Sequence, residues 1–275
     1  MRSPVGLVEV AISDAVVRSP LIDAGPSGAV LRVPGVAEYL IGPEGVVQTA
    51  RAPDATDLDV SCFADGPALA LALLYQGHFP LRAVAVSTRW GAVLLCGRSG
   101  SGKSVTAAAL ALSLGAHVIA DGVVVVSREF EVIGYGAPGQ VVLWPRAALA
   151  LGLGEATYKP VRPSLAKRRV DLGGVAPGMA QRLRLIVALD TASQLEAPVV
   201  EDVGSGRQVL HALAGAQWHH WLVAPLGLGE RHLEWASQLG AGITFARLRR
   251  PNRGQSIEQT ASLVAARLEA AANPK

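Results

Sequence analysis

Cysteine is scarce in this 275-residue chain: only Cys62 and Cys96 are present. Two cysteines cannot make a disulfide framework. Cys96 lies at the end of an apolar run and reads as a small buried hydrophobe. The expected compartment is the reducing cytoplasm. Charge is also scarce, at 17% of residues with a formal net charge of +3. The sequence pI of about 9.1 reflects near balance and no strong basic field. Lysine stands only at positions 103, 159, 167 and 275, so most cations are arginine. No RNP, zinc-finger or helix-turn-helix signature accompanies the arginine clusters, so nucleic acid is not an expected partner. Long hydrophobic runs are missing too. The longest, Ala107 to Ala120, is broken by Ser113 and His117 and is too short for a membrane span. The start, MRSPVGLVEVAISD, has no continuous apolar core, so neither a signal peptide nor a membrane partner is expected.

What the chain has in quantity is apolar residues, 50% of the total. That excludes disorder and suffices for one large or two small domains. Residues 1–60 read as β, with the runs VGLVEVAI, AVLRV, AEYLIG and GVVQTA separated by glycine and proline. Residues 66–76 read as a helix, followed by strands at 81–87 and 91–96. A glycine loop, a helix from Lys103 to Leu114, the strand HVIAD and the run VVVVS come next. Residues 134–178 are rich in glycine and proline and read as irregular around a short helix after Pro145. LRLIVALD (183–190) reads as a buried strand. Helices at 205–223, 229–239 and 255–271, with the strand ITFARL, complete the chain. Strands alternating with helices predict an α/β fold, with a seam near residue 75. The expected division is a β-rich segment over 1–75 and an α/β domain over 76–275.

The stretch CGRSGSGKSVTAAALALSLGAHVIADG, residues 96–122, carries the chemistry. Gly97, Arg98, Ser99, Gly100, Ser101, Gly102, Lys103 and Ser104 fit G-x-x-x-x-G-K-[ST], a pattern expected by chance about 0.005 times in a chain of this composition. An apolar strand precedes it and a helical stretch beginning Lys103-Ser104-Val105 follows. Glycines allow a tight bend and leave room for phosphate oxygens against bare amides. The helix N-terminus adds partial positive charge. Lys103 reaches the terminal phosphates, and Ser104 supplies a hydroxyl oxygen to Mg²⁺. ATP and Mg²⁺ are the expected ligands. Phosphoryl transfer also needs a carboxylate to hold metal or orient the acceptor. Asp121 and Asp190 both end apolar strands; either fits, with turn capping as the alternative for Asp190.

Other residues invite weaker readings. Lys167, Arg168 and Arg169 follow the proline-rich YKPVRPSLA, as a basic loop closing on phosphate or a solvated charge run. Arg249, Arg250 and Arg253 are read as surface charge, or as contacts to ATP or a neighbouring subunit. His219 and His220 lack partner ligands and are not read as a metal site. Trp218 and Trp221 read as core residues on one helix face, and His117 as a buried structural histidine.

Residues 97–121 resemble the kinase domain of the HPr kinase/phosphorylase family. There a G-x-S-G-x-G-K-S loop and a helix lead into an "RG-H-x-h-x-A-D-D" segment, h being apolar; here GRSGSGKS leads into LGAHVIADG with one extra residue. LRAVAVSTRWGAVLLC, VVLWPRAALALGL, KRRVDL and LRLIVALD extend the resemblance to about residues 65–250. It implies a P-loop within a mixed sheet akin to the phosphoenolpyruvate carboxykinase core, here with a β-rich segment in front. It implies that Lys103 and Ser104 are phosphate and metal residues, that Asp121 is the base toward a substrate serine, and that the protein forms a homo-oligomer. Two positions depart. The family's second aspartate is Gly122 here, and its histidine before the loop is Arg82. The family's metal-holding glutamate has no clear match, with Gln140 and Glu131 nearest. These departures argue against phosphorylase activity. Three functions stay open: a kinase of a protein or peptide hydroxyl, as in relatives near ribosomal- and lasso-peptide clusters; a small-molecule kinase on the same core; and a nucleotide-binding regulator with a decayed catalytic set.

Overall fold

The computed structural model describes residues 12–154, 158–173, 181–204, 206–251 and 257–273. These form two compact units. The first draws on the described residues up to Pro80, Arg162–Ser164 and Trp218–His232; the second comprises the described residues within Leu81–Val161, Leu165–Gln217 and from Leu233 onward.

In the first unit, β1 (Val17–Arg18), β2 (Ile22–Gly25), β3 (Gly28–Val33), β4 (Ala37–Ile41) and β5 (Val47–Arg51) pair in chain order as an antiparallel meander. The run VGLVEVAI lies outside the described residues except for its last residue, the buried Ile12. Helix begins earlier than the sequence reading placed it. Helix α1 (Asp57–Phe63) starts inside the segment read as β, because Thr56 and Asp59 form a capping box. A π turn over Ala64–Ala68 joins it to α2 (Leu69–Tyr75). Pro67 has no amide to give and would crowd the carbonyl four residues back, so the helix widens there. The Pro67 carbonyl lies 2.9 Å from Nε2 of His219. By length and composition the whole helical run Asp57–Tyr75 could cross a membrane. Here Leu71 and Leu74 are fully buried and the Tyr75 hydroxyl bonds the carbonyls of Gly25 and Gly28, both at 2.7 Å.

The second unit is built on a seven-stranded mixed sheet. Its strands are β6 (Leu81–Thr88), β7 (Gly91–Cys96), β8 (His117–Val126), β9 (Glu131–Tyr135), β13 (Gln181–Thr191), β14 (Val199–Asp202) and β15 (Thr244–Arg250). Their order across the sheet is β14-β15-β13-β7-β6-β8-β9. β13 runs parallel to both β7 and β15, and the other neighbours are antiparallel. The fold is therefore α/β with a mixed sheet. Helices cover both faces: α3 (Lys103–Leu114) and α7 (Ile257–Ala272) on one, α5 (Arg207–Ala216) and α6 (Gly229–Gly242) on the other. The central strands have apolar side chains on both faces, as a doubly covered sheet requires. Leu94 packs with the α5–α6 side and Leu95 with the α3–α7 side, both fully buried. Each such leucine contributes about 1.5–3 kcal/mol.

Two expectations are corrected. The described residues of 134–178 are not only irregular around one short helix: β10 (Gln140–Leu143), β11 (Tyr158–Pro160) and β12 (Arg168–Asp171) form a second sheet in the order β10-β12-β11, beside the short α4 (Pro145–Ala150). The 205–223 helix stops at Ala216, because Gln217 turns extended and bridges Leu81. Trp218 and Trp221 therefore share no helix face, and Trp221 is 51% exposed and outside the core.

Candidate active site

The site begins where β7 ends. Five of that strand's residues are buried, which fixes the loop's origin at the sheet. Gly97 turns the chain at φ +133, and a Cβ there would lie 2.3 Å from the Leu189 carbonyl oxygen on neighbouring β13. No other residue fits that approach. Arg98, Ser99 and Gly100 are exposed, and Gly102, at φ +103, leads into α3. Helix α3 stops at Gly115, at φ +61. Ser101 is buried, and its hydroxyl has no hydrogen-bond partner among the described residues. Lys103 Nζ donates to the carbonyls of Gly97 at 2.7 Å and Arg98 at 3.0 Å, closing the loop on itself. Val105 packs against the apolar core under the sheet, so its contribution to the loop is its backbone.

Asp121 enters from β8, which pairs with β6, which pairs with β7. Its carboxylate Oδ2 accepts the Val142 amide of β10 at 2.8 Å, and the Ser104 hydroxyl lies beside the same carboxylate. Burial pushes this carboxyl above the ordinary aspartate range, against the pull of Val142, Ser104 and the charges of Lys103 and Lys167. Burial in turn holds the Lys103 ammonium below its ordinary value, while Asp121 pulls it back up. Arg82 and Lys167 also act on Lys103, both lowering it. On β6, Arg82 pairs with Val123 and Val84 pairs with Asp121, so Arg82 is a diagonal neighbour of Asp121 on one face. Cys96, at the loop's root, is buried, and its thiol is pushed up to about 12. It is a packing residue.

The basic run divides. Lys167 precedes β12, stands 5.5 Å over the Trp144 ring and adds its charge at Asp121. Arg168 and Arg169 correct the reading of one basic loop, for both lie in β12. Arg168 Nη1 bonds the carbonyls of Leu165, Ala166 and Lys167, at 3.0–3.2 Å. Arg169 pairs in register between Val142 and Lys159. Asp190 is exposed near the end of β13, the strand next to β7, and its Oδ1 accepts the adjacent Thr191 amide at 2.8 Å. His117 is exposed at the start of β8, against the expectation of burial. Glu131 is exposed on β9 and Gln140 opens β10 opposite Asp171. Among the described residues no cluster of three or more His, Cys, Asp or Glu could hold a metal. The oxygen pair Ser104 and Asp121 suits Mg²⁺, which binds through few protein oxygens plus phosphate.

Sequence reasoning missed two contributors. The Val142 amide on Asp121 depends on β10 docking beside β8 and has no sequence signal. Arg250, on the sequence a surface arginine or a contact to ATP or a neighbouring subunit, grips the loop itself: Nε donates to the Ser101 carbonyl at 2.8 Å. Its neighbour Arg249 pairs with Glu201, and Arg253 lies outside the described residues.

No family model and no curated protein matches the chain. Among solved structures, the chain is similar to the HPr(Ser) kinase/phosphatase from Coxiella burnetii, at 13% identity and a TM-score of 0.31, over 68% of this chain and 89% of that one.

Proposed function

We propose that this protein is a kinase that transfers the γ-phosphoryl group of ATP, with Mg²⁺, to a hydroxyl of a protein or peptide. One observation carries the reading: the glycine loop with Lys103 and Ser104, and the Asp121 carboxylate from a strand two places away in the sheet, meet at one point. In this reading the loop amides and the Lys103 ammonium hold the phosphates, and the Ser104 hydroxyl with Asp121 offers oxygens to the metal. Mg²⁺, when bound, neutralises charge on the phosphoryl oxygens. Asp121 accepts the proton of the incoming hydroxyl, a step that contributes about 10²- to 10⁴-fold to rate.

The single carboxylate is built into the backbone. Gly122 has φ +147, a conformation that disfavours the side chain an aspartate would bring. Positioning and electrostatics supply most of the catalysis of phosphoryl transfer, so one carboxylate suffices.

The test is to incubate the protein with Mg²⁺, γ-labelled ATP and cell lysate, and to follow the label by mass spectrometry. Label on a serine or other hydroxyl of a macromolecule is the expected result. Label confined to small molecules would redirect the reading to a small-molecule kinase. Nucleotide binding with no transfer would leave a nucleotide-binding regulator.

A further inference from the structure

For the amides of a glycine loop to face a phosphate, its carbonyls must face away and find partners there. Arg250, the last residue of β15, supplies them. Its Nε donates to the Ser101 carbonyl at 2.8 Å, Nη2 reaches the Gly100 carbonyl at 3.4 Å, and Nη1 reaches the Pro251 carbonyl at 3.4 Å. The fit is close: a Cβ on Gly102 would come within 2.9 Å of Nε and 3.0 Å of Nη2. No acidic side chain pairs with Arg250 among the described residues. Its five donors are fixed in a planar fork, and it stays charged throughout the physiological range. This partly buried cation therefore bonds backbone carbonyls, two of the loop and one of Pro251.

The geometry has a directional consequence. A trans peptide is planar, with its N–H opposite its carbonyl. Holding the Ser101 carbonyl fixes the Gly102 amide pointing the other way. The Ser101 amide is already engaged by the Arg98 carbonyl at 3.1 Å, so Gly102 is the amide that this contact sets.

Resting on the kinase reading above, we propose that Arg250 is the positioning residue of the phosphate site. Its guanidinium locks the Ser101–Gly102 peptide with the Gly102 amide turned toward the bound polyphosphate, and its charge adds to the attraction from behind the loop. The arrangement also explains why glycine is required at 102 on two counts, the positive φ and the guanidinium against its Cα.

The test is the affinity of the full chain for MgADP by calorimetry, in the native protein, Arg250→Ala and Arg250→Lys. Arg250→Ala is expected to bind about 10-fold more weakly, as loss of a charge-assisted hydrogen bond predicts. Arg250→Lys, which keeps the charge but not the fork, should fall between the two, and it serves if Arg250→Ala does not fold. Millimolar methylguanidinium should recover part of the lost affinity in Arg250→Ala, whereas sodium chloride at equal ionic strength should not. A general packing defect would not respond to that replacement. Binding by Arg250→Ala within twofold of native, or a weakness that methylguanidinium leaves untouched, overturns the proposal. Absence of MgADP binding in the native protein overturns the kinase reading instead, so the two failures are distinguishable.

Discussion

Asp23 and Asp121 are carboxylates on sheet strands, one in each unit, the first buried and the second half-buried, and their surroundings treat them in opposite ways. Asp23 on β2 meets the Arg32 guanidinium of β3 at 2.9 Å and accepts the Ser19 amide at 3.3 Å. The Arg32 bond, with help from its charge, holds the Asp23 carboxyl below the ordinary aspartate range despite burial. Asp121 receives an amide and a neighbouring hydroxyl, and it lies in the field of Lys103 and Lys167. No ion pair closes on it within 4 Å among the described residues. Burial wins there, and the carboxyl sits above its ordinary range. A carboxylate that serves structure is neutralised by its nearest neighbour; one left short of charge compensation beside a phosphate-type loop retains affinity for a proton or a cation.

The largest effect is expected at the loop. Lys103→Ala should weaken MgATP binding by about 100-fold or more, because it removes the ammonium of the glycine loop and unties the Gly97 and Arg98 carbonyls. Calorimetry reads this directly, and a loss below threefold would detach Lys103 from nucleotide binding.

The same substitution at the two aspartates should have opposite signs. Asp23→Asn breaks a charge-assisted pair and should cost about 2 kcal/mol in urea unfolding at pH 7. The stability from Asp23 is present above the ordinary aspartate value and is lost as pH falls through its lowered one. For Asp121 the raised value reverses the sign: the protonated form's contribution is present at low pH and lost as pH rises through that raised value. Asp121→Asn, free of nucleotide and metal, should therefore be more stable than native at pH 7, with the gap closing toward pH 4. Equal signs at the two sites would break the comparison.

Gly122→Asp should cost about 1–2 kcal/mol, because an L side chain is strained at φ +147 even though open space surrounds the position. It should not raise transfer. Ser101→Ala should change stability by less than about 0.5 kcal/mol, since the hydroxyl it removes has no partner among the described residues.

Much of the site was legible because its signals are local. β7, the loop and α3 each carry their own pattern: an apolar run, glycines with positive φ, and an alanine-rich stretch stopped by Gly115. The start of α1 is equally local, in Thr56 and Asp59, but it lies among short apolar runs whose spacing reads as β. What was not legible depends on pairing between distant residues. The β10-β12-β11 sheet joins Gln140 to Asp171 and Tyr158 to Val170 across glycine- and proline-rich segments without strong alternation. The break at Gln217 comes from its bridge to Leu81. Asp121 and Asp190 look alike as strand ends in the sequence; what sets Asp121 apart is the Val142 amide and Ser104 hydroxyl on its carboxylate and the charge of Lys103, none of which the sequence signals.

The most direct test of the central claim is phosphoryl transfer by Asp121→Asn with MgATP affinity measured on the same preparation. Affinity within a few-fold of native, with transfer reduced by about 10²- to 10⁴-fold, is the expected result. Transfer at the native rate would contradict it, because the carboxylate beside the loop would then take no part in the chemistry.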